Sequence, residues 1–221
     1  MARPYDERYN TENLIYTDVC VDFEKKVQEV SPDLIVVSCT EDMWELGIKI
    51  LDEIKKYKSK KNIPVVAGGV FPTFAPEICI KNDLIDIVCV GEGENALIDL
   101  CDKIKKKKDY THVTNLWVKE KDGTITKNGM SDPVDVNAMP TMDINLFDEQ
   151  RLHRPMAGKW YKMLPIETMR GCPYKCTYCN YEGNNRYNHN SQHTPFRLCT
   201  ARSRVSTRKI RLSQNGRPPD L

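Results

Sequence analysis

Cys172, Cys176 and Cys179 stand close together in the run Arg170-Gly171-Cys172-Pro173-Tyr174-Lys175-Cys176-Thr177-Tyr178-Cys179. Three thiolates on a short loop containing glycine and proline can ligate three irons of a four-iron, four-sulfur (4Fe-4S) cluster, leaving the fourth iron without a protein ligand. A vacant iron invites a substrate or cofactor. The same three sulfurs, joined by His189, His193 or Cys199, could instead close a tetrahedral zinc site. Structural zinc sites usually pair two Cys-x-x-Cys knuckles, whereas here one compact triplet stands alone, and that favours the cluster.

The segments that must position this loop begin far upstream. Over residues 33–108 continuous apolar runs alternate with helical spacing, which is how a parallel sheet with crossover helices reads in sequence. A first strand is expected at 34–38. After it Met43, Leu46, Ile50, Ile54 and Tyr57 recur at three- and four-residue intervals and predict the inner face of an amphipathic helix. A second strand at 64–67 ends in Gly68-Gly69, and Pro76 predicts a short helix over 76–81. A third strand at 85–90 runs into Gly91-Glu92-Gly93-Glu94, after which Leu97, Leu100, Cys101 and Ile104 predict a helix face ahead of a run of lysines. Upstream, Leu14 to Thr17 suggests a strand, and Phe23, Val27 and Val30 a helix face.

In a parallel sheet the three strand ends, Ser38-Cys39-Thr40, Gly68-Gly69 and Gly91-Glu92-Gly93, share one edge, and ligands bind there. Glycines allow close approach of a ligand to the backbone, and the hydroxyls of Ser38 and Thr40 can donate and accept hydrogen bonds.

Composition narrows the class. A chain of 221 residues with 40% hydrophobic content can bury a core in one large domain or two small ones. A formal net charge of +2 gives no general drive toward nucleic acid or acidic membrane surfaces. Cys20, Cys39, Cys79, Cys89 and Cys101 lie in or beside apolar runs with no signal peptide before them, so reduced core thiols and a cytoplasmic protein are expected. The longest apolar stretches, 34–39 and 85–90, are too short to cross a bilayer.

Further along, Lys121-Asp122-Gly123 marks a hairpin between 114–118 and 124–127, read as a small connector. Asp132-Pro133 and Met139-Pro140 then break regular structure in a linker running to Phe147 and Asp148. A strand over 164–170 would deliver the cysteine loop at its C-terminal end, as βα barrels deliver catalytic loops. Beyond Gly183 the only glycine is Gly216, and Arg197, Arg202, Arg204, Arg208, Arg211 and Arg217 accompany apolar residues without period. This tail is expected to be disordered or foreign to the domain, rather than a nucleic-acid surface.

The cysteine run resembles the cluster motif of the radical S-adenosylmethionine (SAM) superfamily, in which the vacant iron is chelated by SAM and a deoxyadenosyl radical is released. Tyr178, the aromatic before the last cysteine, is by that resemblance a SAM contact near the adenine. The stretch 32–105, with Ala67-Gly68-Gly69-Val70-Phe71-Pro72-Thr73 and Gly91-Glu92-Gly93-Glu94, resembles the cobalamin-binding domain that precedes the radical SAM domain in a subfamily including anaerobic magnesium-protoporphyrin ester cyclases and many methyltransferases. The resemblance implies that Ser38, Thr40, Gly68 and Gly69, with Gly91 and Gly93, line the slot for the nucleotide tail of cobalamin. This sequence has no histidine before His112 to serve as an axial ligand, and the family's extra first strand, central in a 2-1-3-4-5 sheet, is expected to be missing.

The implied organisation is a cobalamin-binding-like, Rossmann-like (flavodoxin-type) α/β domain over 1–108, a hairpin and linker over 109–150, and the start of a radical SAM βα barrel over 151–190. The tail occupies 191–221. The implied function is that of an N-terminal portion of a radical SAM enzyme for methyl transfer or oxidoreduction, lacking most of its catalytic barrel. Its partners would be a small-molecule substrate, whose pocket belongs to the absent barrel, and an external electron donor such as a flavodoxin or ferredoxin, with no membrane. The alternative is a non-catalytic α/β ligand-binding module with a zinc-stapled C-terminal extension.

Overall fold

The structure is a computed structural model, and it describes residues 17–140, 143–146, 152–156, 159–163, 169–170 and 197–198. The chain divides into two compact units, of which one is Tyr16–Val134.

This unit opens with helix α1 (Val19–Val30), capped by Asp18, whose carboxylate accepts the Cys20 N–H at 2.8 Å. Strand β1 (Ile35–Ser38) follows, then α2 (Glu41–Glu53), α3 (Lys55–Lys61), β2 (Val65–Gly68), α4 (Val70–Phe74), α5 (Pro76–Lys81), β3 (Ile87–Cys89) and α6 (Glu94–Lys105). The three strands are parallel, with Val36 beside Val66 and Val66 beside Ile87. The alternation read from the sequence therefore yields the expected Rossmann-like core. Among the described residues no strand pairs with the outer edge of β1, and there Val36 is 48% exposed. Of the strand expected at 14–17, Thr17 is described and lies outside any strand, and Leu14 to Tyr16 are outside the described residues.

The hairpin expected as a connector is part of the sheet. Strands β4 (Leu116–Lys119) and β5 (Ile125–Lys127) extend it to five in the order β1-β2-β3-β4-β5, with β4 antiparallel to β3. The physical reason is the period of two, which sends Leu116 and Val118 into the core beside Val66, Ile87, Cys89, Ala96 and Leu100. The opposite face of β2 and β3 carries Val65, Ala67 and Val88, also fully buried, so the inner strands are covered on both sides.

Two helix faces differ from expectation. The crossover helix breaks at Ile54, and its buried residues are Trp44, Leu51 and Ile54, while Met43 and Leu46 are 47% and 44% exposed. Two apolar stripes overlap in this sequence, and the one containing Trp44 wins because that ring packs on Phe71 of α4 with centroids 5.4 Å apart. In α6 the buried residues are Ala96 and Leu100, and Cys101 is exposed. Cys39, Cys79 and Cys89 are buried as expected, and Cys20 is half-buried.

Beyond this unit the described pieces are a short helical turn at Ile144–Leu146, a hairpin of β6 (His153–Met156) and β7 (Lys159–Lys162), and a two-residue pairing of β8 (Met169–Arg170) with β9 (Arg197–Leu198). The strand expected over 164–170 is thus described only at its last two residues, where its neighbour is antiparallel. No helix among the described residues is long and apolar enough to cross a membrane.

Candidate functional site

The loops after β1, β2 and β3 meet along one edge of the sheet, as the parallel register requires. At the β1 end Cys39 donates its backbone N–H to Gly68 O at 3.0 Å, and Phe71 donates back to Cys39 O at 3.2 Å. These bonds lock the first two loops together. Gly69 has φ +94° and ψ −165°, a conformation open essentially to glycine alone. A Cβ on it would lie 2.7 Å from Ser38 Oγ and 3.0 Å from Cys39 O. Gly69 is therefore the point where the β2 loop passes the hydroxyl of Ser38.

Ser38, Thr40 and Gly69 are exposed and Gly68 is half-buried. Nothing presses on the α-carbon of Gly68, where an added Cβ would find Cys89 Cβ at an ordinary 3.7 Å. Thr40 precedes α2 in extended backbone, and its hydroxyl hydrogen-bonds the Asp42 carboxylate. The structure thus brings Ser38, Gly68 and Gly69 into one surface strip, with Thr40 beside them at the helix start. Hydroxyls and a bare glycine backbone suit an oxygen-rich, flexible ligand segment.

Under the strip, α2 approaches so closely that a Cβ on Gly47 would sit 2.9 Å from Cys39 Sγ. Burial pushes the Cys39 thiol up, and pushes Cys79 and Cys89 up to about 12 and about 11, with Cys39 adding to the first and Glu94 to the second. These thiols are neutral packing groups at physiological pH, not nucleophiles.

Gly91 and Gly93 are placed differently. Gly91 has φ +84°, and a Cβ there would meet Met130 Cε at 3.0 Å. Gly93 faces Cys89 Sγ and Leu97.

Four residues at this edge have no role in the sequence reading. Thr73 accepts the Gly91 N–H on its Oγ1 at 3.1 Å, and Asn115, 4% exposed with φ +69°, donates from Nδ2 to Glu92 O at 2.8 Å. Glu92 accepts the Val134 N–H at 2.6 Å, and Met130 covers Gly91. An asparagine immediately before a strand was the available signal for the left-handed turn. Cys172, Cys176, Cys179 and Tyr178 lie outside the described residues, and among the described residues no group of His, Cys, Asp and Glu is arranged to hold a metal ion.

Open α/β sheets bind ligands at the edge where their strands end, and residues 6–100 match the family model of the B12 binding domain. The chain therefore carries a B12 binding domain, and the relatives it matches include a cobalamin-dependent radical SAM methyltransferase. Over 159 residues it is 27% identical to 4'-phospho-dehydrooxetanocin synthase of Priestia megaterium, covering 70% of this chain and 20% of that protein. It is 26% identical over 156 residues to the cobalamin-dependent radical SAM methyltransferase TokK of Streptomyces tokunonensis, covering 69% of this chain and 22% of TokK. Over 125 residues it is 28% identical to the anaerobic magnesium-protoporphyrin IX monomethyl ester cyclase of Synechocystis, covering 55% of this chain and 24% of the cyclase. The chain therefore spans about a fifth to a quarter of the length of these relatives.

Two solved structures share the fold. Apo OxsB, a cobalamin-dependent S-adenosylmethionine radical enzyme, matches with a TM-score of 0.60 at 23% identity, over 81% of this chain and 23% of OxsB. The radical S-adenosylmethionine methyltransferase TsrM of Kitasatospora setae matches with a TM-score of 0.54 at 18% identity, over 82% of this chain and 35% of TsrM.

Proposed function

We propose that this chain is the N-terminal part of a cobalamin-dependent radical SAM enzyme. The observation that carries the reading is the coincidence of the B12-domain match at 6–100 with a strip in which Ser38, Gly68 and Gly69 converge. The residues present fit the group. A hydroxyl beside a glycine pair, with only Cys89 Cβ at an ordinary 3.7 Å in the side-chain direction of Gly68, leaves backbone and Ser38 Oγ available to the nucleotide tail of cobalamin, and Thr40 extends the polar strip. The buried neutral thiols beneath keep the floor of the strip uncharged.

Cys172, Cys176 and Cys179 are the ligands we assign to a 4Fe-4S cluster, with SAM at the open iron and Tyr178 against its adenine. Together the cluster and SAM supply a carbon-centred radical, and cobalamin a methyl carrier or electron relay. The reaction class is radical methyl transfer or oxidoreduction on a small molecule, with reducing equivalents from a flavodoxin or ferredoxin in the cytoplasm. The similarity to TokK and to the ester cyclase supports both branches of that class.

Two measurements test the reading. Retention of hydroxocobalamin on gel filtration is expected for the wild-type chain and lost in Gly68→Val, and equal retention by the two would remove the corrinoid assignment. Anaerobic reconstitution with iron and sulfide is expected to give a brown protein whose colour is lost in Cys176→Ala. Stoichiometric zinc with no colour would replace the cluster by a structural staple.

A further inference from the structure

We infer that Glu92 and Asn115 are positioning residues that latch the outgoing segment 129–134 onto the loop after β3, and that Met130, carried by this segment, forms the wall of the ligand strip on its β3 side. The inference rests on the cobalamin reading above and adds residues to that site.

Strands β3 and β5 run in the same direction, so the chain leaves β5 at the edge where the ligand strip lies. Asn115 gathers the segments that meet there. Its backbone N–H donates to Gly129 O at 2.9 Å and its carbonyl accepts the Val90 N–H at 2.8 Å. Its side chain donates to Glu92 O at 2.8 Å and accepts the Ser131 N–H at 2.6 Å. One buried amide thus ties the β3 loop, the start of β4 and the outgoing segment together, and every one of these groups would be costly to leave unpaired. Glu92 adds a second tie through its carboxylate to the Val134 N–H, a charge-assisted bond of 2.6 Å.

Between the two ties lies Met130. Its methyl group rests on Gly91, where a Cβ would come within 3.0 Å, yet the residue is 50% exposed. Gly91 in turn donates to Thr73, which belongs to α4, the helix that starts after Gly69. A continuous path therefore runs from the glycine pair through Thr73 and Gly91 to Met130. A flexible thioether held over a glycine and open on its far side can adapt its packing to a ligand lying along the strip.

Hydroxocobalamin and the full chain provide the test. Equilibrium dialysis gives the affinity, and amide hydrogen exchange follows residues 129–134 with and without the ligand. Exchange in this segment is expected to slow when hydroxocobalamin binds. Glu92→Ala is expected to speed exchange at Val134 and weaken binding about tenfold, on the scale of one charge-assisted hydrogen bond, and Glu92→Gln, which keeps an acceptor oxygen, to restore both. Met130→Ala changes an exposed side chain and tests the wall without disturbing the latch, so its binding is expected to weaken with exchange of the free chain unaltered. Binding by the wild type that leaves exchange at 129–134 unchanged, with Glu92→Ala and Met130→Ala at wild-type affinity, overturns the inference and leaves the corrinoid reading standing. A wild-type chain that takes up no hydroxocobalamin overturns both.

Discussion

Ser38 and Gly69 are packed so tightly that the serine Oγ lies 2.7 Å from where a Cβ on the glycine would stand. The neighbouring Gly68 has no such neighbour, since its closest atom in that direction is Cys89 Cβ at 3.7 Å. Gly69→Ala combines this clash with a φ of +94° and is expected to destabilise the unit by about 1–3 kcal/mol. Gly68→Ala is expected to leave the melting temperature close to wild type while weakening hydroxocobalamin binding. Thermal denaturation and equilibrium dialysis of the two variants check the contrast, and similar melting losses in both would show that the strip is built differently.

Gly47 lies inside α2, where a Cβ would come 2.9 Å from Cys39 Sγ. Glycine inside a helix costs about 1 kcal/mol relative to alanine, so an alanine here should help if the sulfur were gone. Gly47→Ala is expected to destabilise the native protein by about 1–3 kcal/mol through overpacking, and to be neutral or stabilising in a Cys39→Ala background. Denaturant unfolding of the four proteins in the cycle measures the coupling. Additive effects would separate the two residues.

Asp86 holds the opposite end of the sheet. Its carboxylate accepts the Val65 N–H at 2.8 Å and pairs with Lys58 Nζ at 2.8 Å, the lysine side chain being 13% exposed. Asp86→Ala removes an acceptor from a buried strand amide and the partner from a largely buried ammonium, and a loss of about 2–4 kcal/mol is expected. Asp86→Asn should retain part of the stability by still accepting from Val65. Chemical denaturation ranks the three proteins.

Thiol chemistry should sort by position. Cys101 is exposed and Cys39, Cys79 and Cys89 are buried, so a maleimide is expected to label Cys101 in the native chain and the other three only after unfolding. Burial raises the folded pKa of Cys79 to about 12 and of Cys89 to about 11 from an ordinary 9.0. Above pH 9 the unfolded chain therefore loses these protons first, and their contribution to stability, intact below that pH, declines up to about pH 11–12. Cys89→Ala should flatten the fall of unfolding free energy with pH over this window, and an unchanged slope would discount the burial of that thiol.

Much of the scaffold was legible because its signals are local. Short apolar runs, two of them ending in glycine, mark all three parallel strands, and Pro76 marks the start of α5. In α2 the stripe of Met43, Leu46 and Ile50 runs beside that of Trp44 and Leu51, and only the contact of Trp44 with Phe71 chooses between them, while Ile54 is buried as its spacing predicts. Cys101 was placed inward for a similar reason, because Ala96 is too small to dominate a hydrophobic pattern although it is the residue α6 buries beside Leu100. Ser38, Gly68, Gly69 and Glu92 are legible in the sequence as strand-end residues, whereas the partners of Glu92, and the places of Asn115 and Met130, are not.

The order of residues along the chain was enough to state the alternation of strands and helices, the edge where a ligand would lie and the three-thiol loop, because each depends on periodicity or spacing within a few neighbours. Which backbone meets which side chain across that edge was settled by folding alone. Glu92 and Val134 are 42 residues apart, and Asn115 and Glu92 are 23 apart, in hydrogen bonds that exist because β4 pairs antiparallel with β3 and brings the chain back to the same end of the sheet. A hydrophobic pattern encodes that a residue is covered, and it carries no record of the partner that covers it.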